Sequence, residues 1–284
     1  MAKPRAVELS GRAYTRGGRA AAALLLGVAA ASLPALLLLV LLATDPPVTP
    51  PILWRLLLPF TVLPGLAGLL VRRAYTARIE VRDALLRISR PGAGIEIPCD
   101  AIAGVAPWRL PAPGPGLSLA LRSGRSVGLE LADPAALLAA LDGAGAKGAR
   151  EAAARPLVVY AAARPVRPRR PLLRLLARYP VFALAPGAVL FNLHQHIAYG
   201  GTFGEWYTLG AASYLQTAAV YWATTTAYLA MYASVWRGAA EGLCLATACV
   251  VPARAAAVRR IAEAAFRALY YGGVPALLAL RLLA

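Results

Sequence analysis

The two histidines of the chain, His194 and His196, stand in NLHQHIAYGGTFGEWY (192–207), with Glu205 close behind. An imidazole beside a carboxylate can act as a general acid–base pair. Two imidazoles can hold a metal, but a third ligand is needed, and on this side only Glu205 or Asp45 is available. His-x-His on a strand points both rings one way, whereas on a helix they diverge by about 200°. Haem is supported least, because two histidines must approach the iron from opposite sides. The structural alternative is a cap in which Asn192, Gln195 and the histidines hydrogen-bond over the Gly-rich turn 199–205. Ionisable groups at a membrane boundary are functional candidates by default. His194, His196 and Glu205 are therefore the candidate catalytic residues; no metal site and no cofactor is expected.

Tyr207, Tyr214, Tyr221 and Tyr228 recur at every seventh position. On a helix such positions share a face, drifting by about 20° per heptad. An interfacial belt explains Tyr207 and Tyr228, but Tyr214 and Tyr221 would fall in mid-membrane, where their hydroxyls need partners. Gly210, Ala211, Ser213, Ala218 and Thr225 add small residues to the same helix. The stripe is expected to pack on another helix, in this chain or in a partner; the sharper alternative is a groove for a lipid or quinone.

A third group is basic. Arg164, Arg167, Arg169, Arg170, Arg174 and Arg178 sit in a linker, 143–179, whose only acid is Glu151. Beside a membrane such a cluster reads as contact with anionic lipid, each charge contributing about 1 kcal/mol near the surface. Retention of a cytoplasmic loop is the plainer reading, and both can hold. LLRLLARY (172–179) can lie in the interface as an amphipathic helix.

The elements that must position these residues are mostly apolar. The 284 residues are 59% hydrophobic and 15% charged, which is poor in charge for a soluble domain. The net charge of +17 would suit nucleic acid, but the basic residues flank apolar runs, so no nucleic-acid partner is expected. Cys99, Cys244 and Cys249 have no metal-ligand or redox spacing. Five spans are expected, near 20–43, 52–71, 181–198, 206–236 and 268–283, with 242–251 too short to cross. With the N-terminus cytoplasmic, all 30 basic residues except Arg55 and Arg281 fall inside, which fixes the orientation. An Ala-, Arg-, Gly- and Pro-rich chain suggests a bacterial source, hence the inner (cytoplasmic) membrane.

From Tyr75 to about Leu141 the texture changes to a period-two alternation. ARIEV (77–81), LLRISR (85–90), GIEIP (94–98), GLSLALR (116–122) and SVGLELA (126–132) read as strands, and 106–115 as irregular. Asp133 and Pro134 open a helix as N-cap and first residue. The alternation puts Ile79, Val81, Leu86, Ile88, Ile95 and Ile97 in a core, together with Leu117, Leu119, Leu121, Val127, Leu129 and Leu131. Residues 157–163 are a late strand or a short helix.

Two apolar spans, then strands, IEIPCDAIAGV (95–105), a Gly-Arg hairpin at 124–125 and a helix after Asp133-Pro134 resemble the membrane-anchored bacterial pleckstrin-homology-like domain over roughly residues 20–145. The resemblance implies a small barrel or curved sheet, with no fixed ligand.

The expected fold class is thus an integral membrane α-helical protein with a small inserted antiparallel β domain closed by one helix. Its parts are a basic N-terminus (1–19), a helical hairpin (20–71), the β domain (75–142), the linker (143–179) and a C-terminal membrane domain (180–284). The expected function is a non-enzymatic accessory or scaffold subunit of a membrane complex, its partners being membrane lipids and another membrane protein. The alternative is a membrane enzyme or carrier for a lipid-soluble substrate, using His194, His196 and Glu205.

Overall fold

A computed structural model describes residues 7–43, 48–164 and 171–283. The first described element is strand β1 (Val7–Tyr14), which passes through Thr15 into helix α1 (Arg16–Leu42). Helices α2 (Pro50–Leu57) and α3 (Leu63–Ala74) follow, joined by a wide turn at Leu58–Val62. Strands β2 (Thr76–Arg82), β3 (Leu85–Arg90), β4 (Ala93–Pro98), β5 (Ile102–Pro107), β6 (Gly116–Leu121) and β7 (Ser126–Leu131) lead to α4 (Pro134–Gly143). Short helices α5 (Ala149–Ala153), α6 (Pro156–Ala162) and α7 (Pro171–Leu176) precede α8 (Leu184–Tyr199) and α9 (Gly204–Leu209). The chain ends in α10 (Ala211–Val250) and α11 (Ala255–Leu283). Among the described residues, three stretches, Arg16–Leu42, Pro50–Ala74 and Leu173–Tyr199, are long and apolar enough to cross a membrane.

The chain forms two compact units. The first comprises the described residues of Met1–Ala31, Pro59–Arg164 and Ala240–Ala262; the second, those of Ser32–Leu58, Pro165–Ala239 and Glu263–Ala284.

The first unit holds a curled antiparallel sheet of seven strands in the order β4-β3-β2-β1-β7-β6-β5. Strands β2, β3, β4, β6 and β7 lie where the alternation puts them. Strand β1 does not: residues 7–14, read from sequence as basic N-terminus, form the strand between β2 and β7. Two of its inward positions, Gly11 and Ala13, are small, and at Gly11 smallness is needed. A Cβ on Gly11 would stand 2.7 Å from the Glu130 carbonyl oxygen and 2.9 Å from both Ile79 and Leu131. The sheet therefore begins before α1 and resumes after α3, so the two helices are an excursion out of the sheet. Strand β5 takes up part of the segment read as irregular.

The inner face carries Ile79, Val81, Leu86, Ile88, Ile97, Leu117, Leu119, Leu129 and Leu131, packed on Leu137, Leu138 and Leu141 of α4. Leu121 and Val127 are partly buried against this core, but Ile95, expected inside it, is 48% exposed because it lies on the edge strand β4. Helix α4 begins as expected, the Asp133 carboxylate accepting from Ala135 N at 3.0 Å and Ala136 N at 3.1 Å. Residues 157–163 resolve as helix, within α6. Helices α1 and α3 meet at glycine: a Cβ on Gly68 would stand 2.7 Å from Leu26 Cγ.

In the second unit α8 runs through Pro186 and Gly187 without a break. Gly187 lies close to Trp222 and Thr225 of α10. The expected 206–236 helix is divided at Gly210, where φ is +87°, a backbone region that suits glycine. Residues 242–250, expected to be a separate short piece, continue α10 as one helix. The interfacial helix expected at 172–179 is α7 followed by a wide turn at Ala177–Val181.

Candidate functional site

Glu205, in the first turn of α9, is 2% exposed. Thr217 Oγ1 donates to its Oε1 at 2.7 Å and Ser213 Oγ at 2.8 Å, both from α10. Gln195 Nε2, from α8, donates to Oε2 at 2.6 Å, while Gln195 Oε1 accepts from the Glu205 amide at 3.2 Å. One carboxylate thus joins three helices. Every side-chain donor to it is neutral, and among the described residues it has no arginine or lysine partner. Burial opposes its charge, but the three donors, helped by nearby His194, outweigh that and hold the carboxyl below its ordinary range.

The histidines do not join this carboxylate in hydrogen bonds. The His194 ring lies 5.2 Å from Tyr221 and 6.0 Å, edge-on, from Tyr199. His196 Nδ1 meets the Asn192 carbonyl of its own helix at 2.9 Å. On α8 the two rings leave in different directions, as helical geometry requires. Asp45 lies outside the described residues, and among those described no three His, Cys, Asp or Glu side chains come together to hold a metal. Gln195, between the histidines and fully buried, is the residue that sequence reasoning placed only in a general cap.

The tyrosines are not one stripe. Tyr207 falls on α9, ahead of the Gly210 break, and is 83% exposed. Tyr214 packs on Phe191, Phe203 and Trp206 at 4.9, 5.9 and 5.6 Å between ring centres. Tyr221 packs on Phe191 and His194. Tyr228 joins an apolar cluster with Leu36, Leu53, Leu57 and Met231.

Of the linker arginines, Arg167, Arg169 and Arg170 lie outside the described residues. Arg174 is exposed on α7. Arg178 stacks over the Tyr270 ring at 5.0 Å, and its carbonyl accepts from the Tyr270 hydroxyl at 2.8 Å. Arg164 reaches Glu241 at 3.5 Å. Glu241 also receives a bidentate pair from Arg259, at 2.8 and 3.1 Å, and the Tyr160 hydroxyl. Burial would raise the Glu241 carboxyl, but Arg259, Tyr160 and Arg164 pull it down to about 2. Burial, then the bond to Glu241, pushes the Tyr160 phenol up to about 12.

A third carboxylate escaped the sequence altogether. Glu130 of β7 alternates with Leu129 and Leu131 and so points off the inner face, yet it is only 3% exposed. It stands directly opposite Arg12 of β1 in the strand register. Arg12 Nη1 meets its Oε1 at 2.8 Å, Arg72 at the end of α3 bonds the same oxygen, and the Tyr14 hydroxyl donates to Oε2 at 2.9 Å. Arg12 Nε also donates to the Arg72 carbonyl at 3.1 Å. Burial first, then Glu130, raises the Tyr14 phenol. The outer face of the sheet is therefore a charged clamp onto the helix that precedes β2. Only recognition of β1 would have exposed this pairing in the sequence.

No protein-family model, curated protein or solved structure matches this chain.

Proposed function

We propose that this protein is a non-enzymatic accessory or scaffold subunit of a membrane complex, presenting its sheet as a platform to a partner protein at the membrane surface. In this reading α10 and α11 supply two further spans, the sheet is a pleckstrin-homology-like domain on the cytoplasmic side, and the membrane is the bacterial inner one. The positive-inside count of the sequence supports that orientation. The observation that carries the platform reading is the edge strand β4. Every residue of it except Ile97 is exposed, and among the described residues it has a strand neighbour on one side only. The opposite edge, β5, is approached by the backbone at Gly148, whose Cβ position lies 3.4 Å from Val105 N. An open edge on a held sheet suits a partner that adds a strand. Protein solubilised from native membranes is expected to migrate and pull down with a partner. A monodisperse lone monomer, with nothing recovered after crosslinking in cells, would contradict this function.

A second reading, a membrane enzyme or carrier for a lipid-soluble substrate, is favoured by Glu205, a buried carboxylate held by neutral groups alone among the described residues. Full activity of the host pathway in Glu205→Gln, His194→Ala and His196→Ala variants would remove it.

A further inference from the structure

We infer that the loop 108–113 is a membrane-contact site, with Leu110 seated in the lipid interface and Arg109 among lipid phosphates. The inference rests on the reading that α1 and α3 span the bilayer.

Trp108 fixes where the loop lies. Its ring rests on the outer face of the sheet above two glycines: a Cβ would approach it to 2.7 Å at Gly116 and 3.6 Å at Gly128. The Arg19 guanidinium caps the ring at 3.9 Å. Trp108 also clusters with Ala22 of α1, Val71 of α3, Tyr14 and Tyr75. Arg19 is the last charged residue before the apolar run of α1, and Arg72 and Arg73 are the first after that of α3. The indole is thus held where both apolar helices give way to charge. In a spanning protein that is the headgroup level, which is also where tryptophan partitions best.

Leu110 is two residues further on, at most about 7 Å along an extended chain. The headgroup layer adds roughly 5–8 Å on each side of the hydrocarbon core. Leu110 is 70% exposed, and Arg109 beside it is exposed as well. An apolar tip next to a cation, anchored by tryptophan, has the chemistry of an anionic bilayer surface.

The test uses the full chain with its exposed cysteine removed by Cys249→Ser, Cys99 and Cys244 being buried. Single cysteines replace Leu110, Leu66 of α3 (55% exposed) and Ala139, which is exposed on α4 against the inner face of the sheet. Each carries an environment-sensitive fluorophore after reconstitution in vesicles of phosphatidylcholine and phosphatidylglycerol. At Leu110 the expected result is blue-shifted emission and several-fold stronger quenching by headgroup-level nitroxide lipid than at Ala139. Leu66 should be quenched best by nitroxides deep in the acyl chains. Quenching at Leu66 with Leu110 behaving like Ala139 overturns the loop inference and leaves the spans standing. No quenching at Leu66 overturns the spans, and the loop inference with them.

Discussion

Glu130 in the sheet unit and Glu205 in the helical unit are equally hidden, at 3% and 2% exposure, yet their charges are met in opposite ways. Glu130 takes two guanidiniums and a phenol from two segments, β1 and the end of α3. Glu205 takes two hydroxyls and an amide from two helices. A carboxylate between two arginines has its charge cancelled on the spot, and its work is to fasten β1, β7 and the end of α3 together. A carboxylate held by dipoles alone keeps a net charge in a protected place, which costs more to bury and leaves ionisation open to its surroundings. Glu241, gripped by Arg259, belongs with the fasteners.

The contrast can be broken most forcefully at the sheet. Glu130→Ala would leave Arg12 and Arg72 facing each other without an anion, and a loss of about 3–5 kcal/mol is expected. Thermal unfolding in detergent measures it, and a loss below about 1 kcal/mol would show that the clamp does not fasten the sheet. Glu205→Ala strands three donors and should cost about 2–3 kcal/mol, whereas Glu205→Gln, which retains an acceptor, should lose about 1 kcal/mol. Were Glu205 instead a fastener like Glu130, the two substitutions would cost the same.

Acid separates the classes a third way. The Glu241 carboxyl is depressed to about 2 when folded, below its ordinary value near 4.3. Its contribution to stability is therefore complete above that ordinary value and fades as pH falls from about 4 towards 2. Pepsin should begin to cut around Tyr160 in that window, and Glu241→Gln should expose the same bond to chymotrypsin at neutral pH. Smallest is the helix cap: Asp133→Ala should cost about 1 kcal/mol. It provides the reference that the Glu130 loss must exceed.

Much of the sheet was legible because inward and outward residues alternate at every second position. Ile79, Val81, Leu86 and Ile88 are a plain case, and all four are buried. Strand β1 was hidden by the smallness of Gly11 and Ala13 and by the basic residues around it, although VELSGRAY does alternate. Ile95 shows the limit of the pattern: alternation gives a face, but only pairing tells whether that face is covered at the sheet edge. For the same reason alternation alone places Glu130 off the inner face, and nothing local reveals that the second face is closed by Arg72 and Trp108. At the candidate site, the sequence singled out Glu205 as the acid close behind the two histidines and, with Asp45, one of two available on that side. The ring of Gln195, Ser213 and Thr217 around it depends on the Gly210 break, which turns α9 back onto α10 and takes Tyr207 off the tyrosine face.

The platform itself is tested most directly by a photocrosslinking amino acid at Ile95 on the open edge, compared in living cells with the same group at Ala139 on α4. The account predicts one recurrent protein adduct from Ile95 and none from Ala139. A chain that gives no adduct at Ile95, and leaves the membrane as a lone monomer, would contradict it.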